Sequence, residues 1–155
     1  MPPVPCPAKT WNARERRAKG TVTLSFFLDI DPPTRTAQQK GASVIGGHVH
    51  HYVKPEVRAA QDILRAALRP YAPAKPLEGA LCLKCKWFFV SKSHKPGTWR
   101  ITRPDTDNLQ KGLKDCMTAE GFWKDDAQVV MEICSKRWSA TPGIEISILT
   151  EEAFT

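Results

Sequence analysis

The 155-residue chain has no long apolar run. Its hydrophobic stretches stop after a handful of residues, against the roughly twenty a spanning helix needs, so a transmembrane protein is excluded. The N-terminal segment MPPVPCPAKTWNARERRAKG lacks the apolar centre of a secretory signal, and a cytoplasmic location is the expectation. Cysteine is sparse and odd in number: five residues, at 6, 82, 85, 116 and 134. A secreted disulfide framework carries a denser, even set, so these read as reduced thiols, mostly small core hydrophobes. There is no internal repeat and no linker that would split the chain. The length suits one domain with a core of its own, needing neither disulfide staples nor a structural metal.

What the chain does have is positive charge. Lysine and arginine number 23 against 16 acids, a net +7. Such a surplus favours a polyanionic partner, nucleic acid first among them. Its distribution is uneven. Residues 1–20 hold Lys9, Arg14, Arg16, Arg17 and Lys19 against Glu15 alone, and read as a basic, proline-containing arm attached to a single domain over 21–155. Six of the 16 acids, by contrast, fall between Asp105 and Asp126.

Apolar periodicity outlines the domain. Val22, Leu24, Phe26 and Leu28 alternate along a strand over Thr21–Ile30, ended by Pro32 and Pro33. Residues 34–47 are polar and read as a loop, with a short hairpin running into HVHHYV at 48–53. Pro55 opens a helix carrying Val57, Ala60, Ile63, Leu64, Ala67 and Leu68, continuing to Arg69 before Pro70. Gly79–Ser91 is a long strand with Leu81, Leu83, Cys85, Trp87 and Phe89 on one face; Thr98–Thr102 suggests a short return strand. Leu109, Leu113, Cys116 and Met117 form one stripe on a second helix over Thr106–Ala119, stopped by Gly121. Ala127–Trp138 and the alternating Ile144, Ile146 and Ile148 supply two more strands. The expected fold is α+β: a mixed sheet with two main helices packed on one face.

The acidic segment 103–126, RPDTDNLQKGLKDCMTAEGFWKDD, carries the chemistry. Asp105 and Asp107 stand at a loop-to-helix junction able to aim two carboxylates at one point. Lys111 follows Asp107 by one helical turn and Asp115 follows Lys111 by another. The chain then reverses at Gly121 and presents Asp125 and Asp126 at the start of a strand, where neighbours face opposite ways and only one can join the cluster. Several carboxylates held together repel unless one is protonated or a cation lies among them. Hard oxygen ligands beside a lysine suit Mg²⁺ or Mn²⁺ and phosphoryl chemistry. The competing view is that these acids merely cap and solvate, which holds for most isolated Asp-x-Asp pairs. Asp29-Ile30-Asp31 is such a pair, at a strand end.

The run Pro104-Asp105-Thr106-Asp107-Asn108-Leu109-Gln110-Lys111, then Asp115, then Gly121-Phe122-Trp123-Lys124-Asp125-Asp126-Ala127-Gln128-Val129, closely resembles the signature of the RusA family of Holliday junction resolvases. A weaker likeness runs from Asp31-Pro32-Pro33-Thr34 to Lys40 and through the following hairpin and helix. The resemblance implies a small dimeric endonuclease of the kind often carried by prophages. It implies Asp105, Asp107 and Asp126 as ligands of Mg²⁺, with Mn²⁺ as a substitute, and Lys111 as the catalytic lysine. Asn108 then orients the loop, and Asp115 and Asp125 are supporting acids. The implied activity is paired, symmetric nicking of four-way DNA junctions in recombination and repair, leaving 5′-phosphate ends that can be ligated. The basic arm and the polar loop 34–47 depart from the compact family pattern.

Weaker signals stand beside this one. Arg35, Gln38, Gln39 and Lys40, with Lys92, Lys95, Arg100 and Arg103, lie on loops suited to holding DNA phosphates. His48, His50 and His51 read as surface or DNA-contacting residues, since no cysteine or acid completes a zinc set. Cys82 and Cys85 would face opposite sides of a strand, which argues against a metal or redox pair. Among the tryptophans, Trp87 and Trp123 read as packing groups, while Trp99 beside Arg100 is suited to touch an unstacked base. Two rival functions remain open: a non-catalytic DNA-binding protein with structural acids, and a less selective metal-dependent phosphodiesterase.

Overall fold

The computed structural model describes residues 23–35 and 40–154. The basic arm 1–20, Gln38 and Gln39 lie outside the described residues. Six strands and two helices follow in the order β1 (Thr23–Leu28), β2 (Lys40–Ile45), β3 (His48–Val53), α1 (Pro55–Leu68), β4 (Leu81–Val90), α2 (Thr106–Ala119), β5 (Val129–Ser139) and β6 (Gly143–Thr150). Four strands form one mixed sheet in the order β1-β6-β4-β5. β6 is antiparallel to both β1 and β4, whereas β4 and β5 run parallel. A parallel pair needs a crossover, and α2 provides it.

Alternation builds the core. Leu24, Phe26 and Leu28 of β1, Leu81, Leu83, Cys85, Trp87 and Phe89 of β4, and Ile144, Ile146 and Ile148 of β6 are all buried. They meet Leu64 and Leu68 of α1 and Leu109, Leu113, Cys116 and Met117 of α2 in one cluster. Both helices thus pack on one face of the sheet, and the α+β expectation holds. The other face is lined by Ser25 bonded to Ser147 (2.8 Å) and by Lys86 paired with Glu145 (2.9 Å). Cys82 points to that face and is nevertheless fully buried.

Several boundaries differ from the sequence reading. Residues 40–45, read as loop, are a strand paired with 48–53. This hairpin is exposed on both faces, so no burial pattern marks it. Thr98–Thr102 forms no strand; only Trp99 bridges to Arg137 of β5. The fifth strand starts at Val129, because Asp126–Gln128 form a 3-10 turn first.

Candidate active site

Asp105 sits at the start of α2 in an extended conformation (φ −74°, ψ 151°), and Asp107 lies in its first turn. Asp105 is well placed to cap the helix, yet its side chain makes no capping hydrogen bond. Both carboxylates are exposed. The capping explanation therefore does not account for Asp105. Two acids at a positive helix end are favoured by the dipole, and they remain available to a ligand.

The segment ahead of Asp105 is fixed by side chains rather than by secondary structure. The ammonium of Lys136, on β5, donates to the carbonyls of Thr102 (2.7 Å) and Pro104 (2.6 Å). The Arg100 guanidinium donates to the Arg103 carbonyl. It lies over the rings of Phe89 (4.2 Å) and Trp138 (4.7 Å), and burial lowers its pKa from the ordinary value. The Arg103–Pro104 peptide is cis, and Pro104 is buried.

One turn beyond Asp107, the Lys111 ammonium pairs with Asp115 at 2.9 Å on the exposed face of α2. The hydrogen bond and charge of Asp115 raise its pKa, with a smaller contribution from Asp126. Lys111 therefore keeps its proton at neutral pH. The 3-10 turn bearing Asp126 packs against α2. Asp125 caps that turn, accepting from the amide of Ala127 (2.8 Å), while Gln128 reaches back to the Asp125 amide (3.3 Å). Of the two adjacent acids, Asp125 is committed to the turn. Asp126 is half-buried and not engaged in that capping box. A turn, and not strand alternation, separates their roles.

One chain does not bring all three metal-candidate carboxylates together. Leu81 of β4 is level with Val129, just after Asp126, whereas Trp87 is level with Lys136, which holds Pro104. Val129 and Lys136 are seven steps apart along the strand, about 23 Å at 3.3 Å per residue. α2 spans the same gap, its N-terminus bearing Asp105 and Asp107 and its C-terminus leading to Asp126. Among the described residues no group of three histidine, cysteine or acidic side chains is close enough to hold a metal. The donors at the helix start still fit a hard divalent ion, since Mg²⁺ keeps several waters and takes only one or two carboxylates in many phosphoryl sites.

The DNA-contact candidates divide. Lys92, Lys95 and Arg103 are exposed on loop 91–104. Arg35 is exposed and lines a small crevice between α1 and α2 with Asn108 and Trp87. The Asn108 Oδ1 is buried without a hydrogen-bond partner. Lys40 opens β2. Arg100 is turned inward, as described above. His48, His50 and His51 are exposed on β3.

Sequence reasoning missed Lys136, Gln110 and Glu120. Lys136 shares the helix-facing side of β5 with Cys134 and Trp138. A cation in that register must find buried acceptors, which was the available signal. Gln110 is only 3% exposed. Its Oε1 accepts from the Trp87 indole (3.2 Å), and its amide nitrogen approaches Glu132 (3.5 Å), which pairs with Lys114. Glu120, after α2, accepts from Arg65 of α1 (2.8 Å) and from Arg69 just beyond it (3.0 Å). The thiols behave as packing groups. Burial pushes Cys116 and Cys134 up to about 11, and Cys85 well above the ordinary thiol range.

The sequence that folds into this α+β scaffold, with carboxylates at a helix start, matches a known family. The model of the endodeoxyribonuclease RusA family covers residues 31–149, and the chain belongs to that family. It is 32% identical over 129 residues to a crossover junction endodeoxyribonuclease of Lactococcus phage r1t, covering 81% of this chain and 96% of that protein. A 28-residue segment is 64% identical to the crossover junction endodeoxyribonuclease RusA of Escherichia coli K12, covering 18% of this chain and 23% of that one. Among the described residues, no helix is long and apolar enough to cross a membrane.

Proposed function

We propose that the protein resolves four-way DNA junctions by paired, symmetric nicks in recombination and repair, acting as a homodimer. The observation that carries this reading is the pair Asp105 and Asp107, exposed and uncommitted at the start of α2, in a chain of this family. The reaction adds water across a phosphodiester. The water oxygen bonds to phosphorus, the bond to the 3′ oxygen breaks, and a 5′-phosphate and a 3′-hydroxyl remain. Mg²⁺, with Mn²⁺ as a substitute, held by Asp105, Asp107 and Asp126, would polarise the phosphate and acidify a bound water. Lys111 stays protonated and stabilises negative charge gathering on the phosphate oxygens. The Lys136 tether keeps the Asp105 loop in place, and Asp115 holds Lys111.

The separation of Asp126 from Asp105 and Asp107 within one chain favours the dimer. A two-fold junction suits a two-fold enzyme, and a second copy can bring its Asp126 to the α2 N-terminus of the first. Apolar surface for such an interface exists. Met131 (42% exposed) and Ile133 (51%) lie on the uncovered sheet face, and Val130 (62%) stands on the same edge strand.

Protein, Mg²⁺ and a synthetic four-way junction test the reading together. Paired nicks at symmetric positions are expected. Binding without cleavage would instead identify a non-catalytic DNA-binding protein, and equal cleavage of linear duplex a general phosphodiesterase.

A further inference from the structure

Loop 91–104 carries two large apolar side chains that the active site does not use. Trp99 is 58% exposed and Ile101 is 92% exposed. The loop is nonetheless firmly held. The Gly97 amide donates to the Trp138 carbonyl (2.7 Å), the Trp138 amide to Thr98 (2.9 Å), and the Arg100 amide to Lys136 (3.2 Å). The Arg137 guanidinium lies 3.7 Å from the centre of the Trp99 ring. An exposed indole fixed by its backbone and by a cation on the ring is a pre-set stacking surface, with little entropy left to lose on binding.

Its surroundings select the partner. From Gly79 to Pro104 the chain contains no acid, and Lys92, Lys95 and Arg103 are exposed on the loop that carries Trp99. Arg137 borders Trp99 from β5. A second copy of so basic a patch would be repelled, whereas a polyanion with exposed rings is attracted. The platform is also tied to the nuclease residues. Trp99 bridges to Arg137, and Lys136, its neighbour, holds Pro104 just before Asp105.

We propose that Trp99, flanked by Ile101, receives an unstacked base at the branch point of the DNA and sets the preference for branched over linear substrate. This rests on the junction-resolving reading above. Bases inside a linear duplex keep both faces stacked on neighbours, while those at a branch are freed at smaller cost. Trp99 therefore reads the branch, and the surrounding cations hold its phosphates without regard to sequence.

The test uses the full chain in EDTA, so that binding is read apart from cleavage. A four-way junction carrying 5-iodouracil at the branch is irradiated, with a second junction bearing it mid-arm. Cross-linking to Trp99 is expected from the branch position only. Trp99→Ala should lower the preference for junction over duplex by roughly ten- to a hundredfold, the range for losing one base–aromatic stack, while Trp99→Phe keeps most of it. A Trp99→Ala protein with unchanged preference, or cross-links that map elsewhere, overturns the proposal. So does a variant that loses only self-association. If the wild type cross-links through Trp99 yet nicks no junction with Mg²⁺, stacking stands and the resolvase reading fails.

Discussion

Asp107 and Lys111 are proposed to divide two tasks that one charge cannot perform. In the proposed site Asp107 would repel the DNA it helps to cut, so Asp107→Asn should abolish nicking while keeping or tightening junction binding, measured by gel shift beside the cleavage assay. Normal cleavage by that variant would remove Asp107 from the site. Lys111 is an exposed cation held protonated by Asp115. Lys111→Ala should slow single-turnover nicking by about 10²–10³, as loss of a preorganised charge-stabilising group does. Its melting temperature should scarcely move, because an exposed i,i+4 pair contributes only a few tenths of a kcal/mol. Gln110 contrasts with both. It is buried, and it satisfies the Trp87 indole inside the core. Gln110→Leu strands that donor and should cost about 1–3 kcal/mol in urea unfolding. An unchanged midpoint would mean that the indole finds another acceptor.

The two helices are joined across their ends by Glu120 with Arg65 and Arg69. Their guanidinium groups hold the Glu120 carboxyl below its ordinary pKa. Its stabilisation is therefore complete above the unfolded-state value, near 4.3 for glutamate, and is lost as pH falls through the lowered folded-state value. Glu120→Gln should melt below the wild type at pH 7, with the gap closing under acid conditions. A gap that persists in acid would assign the loss to packing. Much at this scale was legible in the sequence. The stripe Leu109, Leu113, Cys116 and Met117 and the stop at Gly121 (φ 82°) mark α2 to the residue. Strand β4 shows its buried face by alternation alone. The hairpin 40–53 was half hidden, because a ribbon exposed on both sides imposes no period. The beginning of β5 was misread, because the reciprocal bonds of Asp125 and Gln128 favour a tight turn that periodicity does not register.

For the whole molecule, the motif names the candidate acids but not how far apart they lie. That separation is set by topology: a parallel β4–β5 pair forces α2 to run back along the sheet, leaving Asp105 and Asp126 at its two ends. Local spacing carries no trace of it. Under the proposed function the same topology would make the dimer part of the chemistry, since a lone chain offers two carboxylates at the helix start and a third near the opposite end. Mixing two inactive variants tests this most directly. Asp107→Asn and Asp126→Asn homodimers should each fail to nick a four-way junction. After unfolding and refolding together with Mg²⁺, heterodimers should regain cleavage, because one composite site then has all of its acids. A mixture as inactive as its parents would contradict a site shared between two chains.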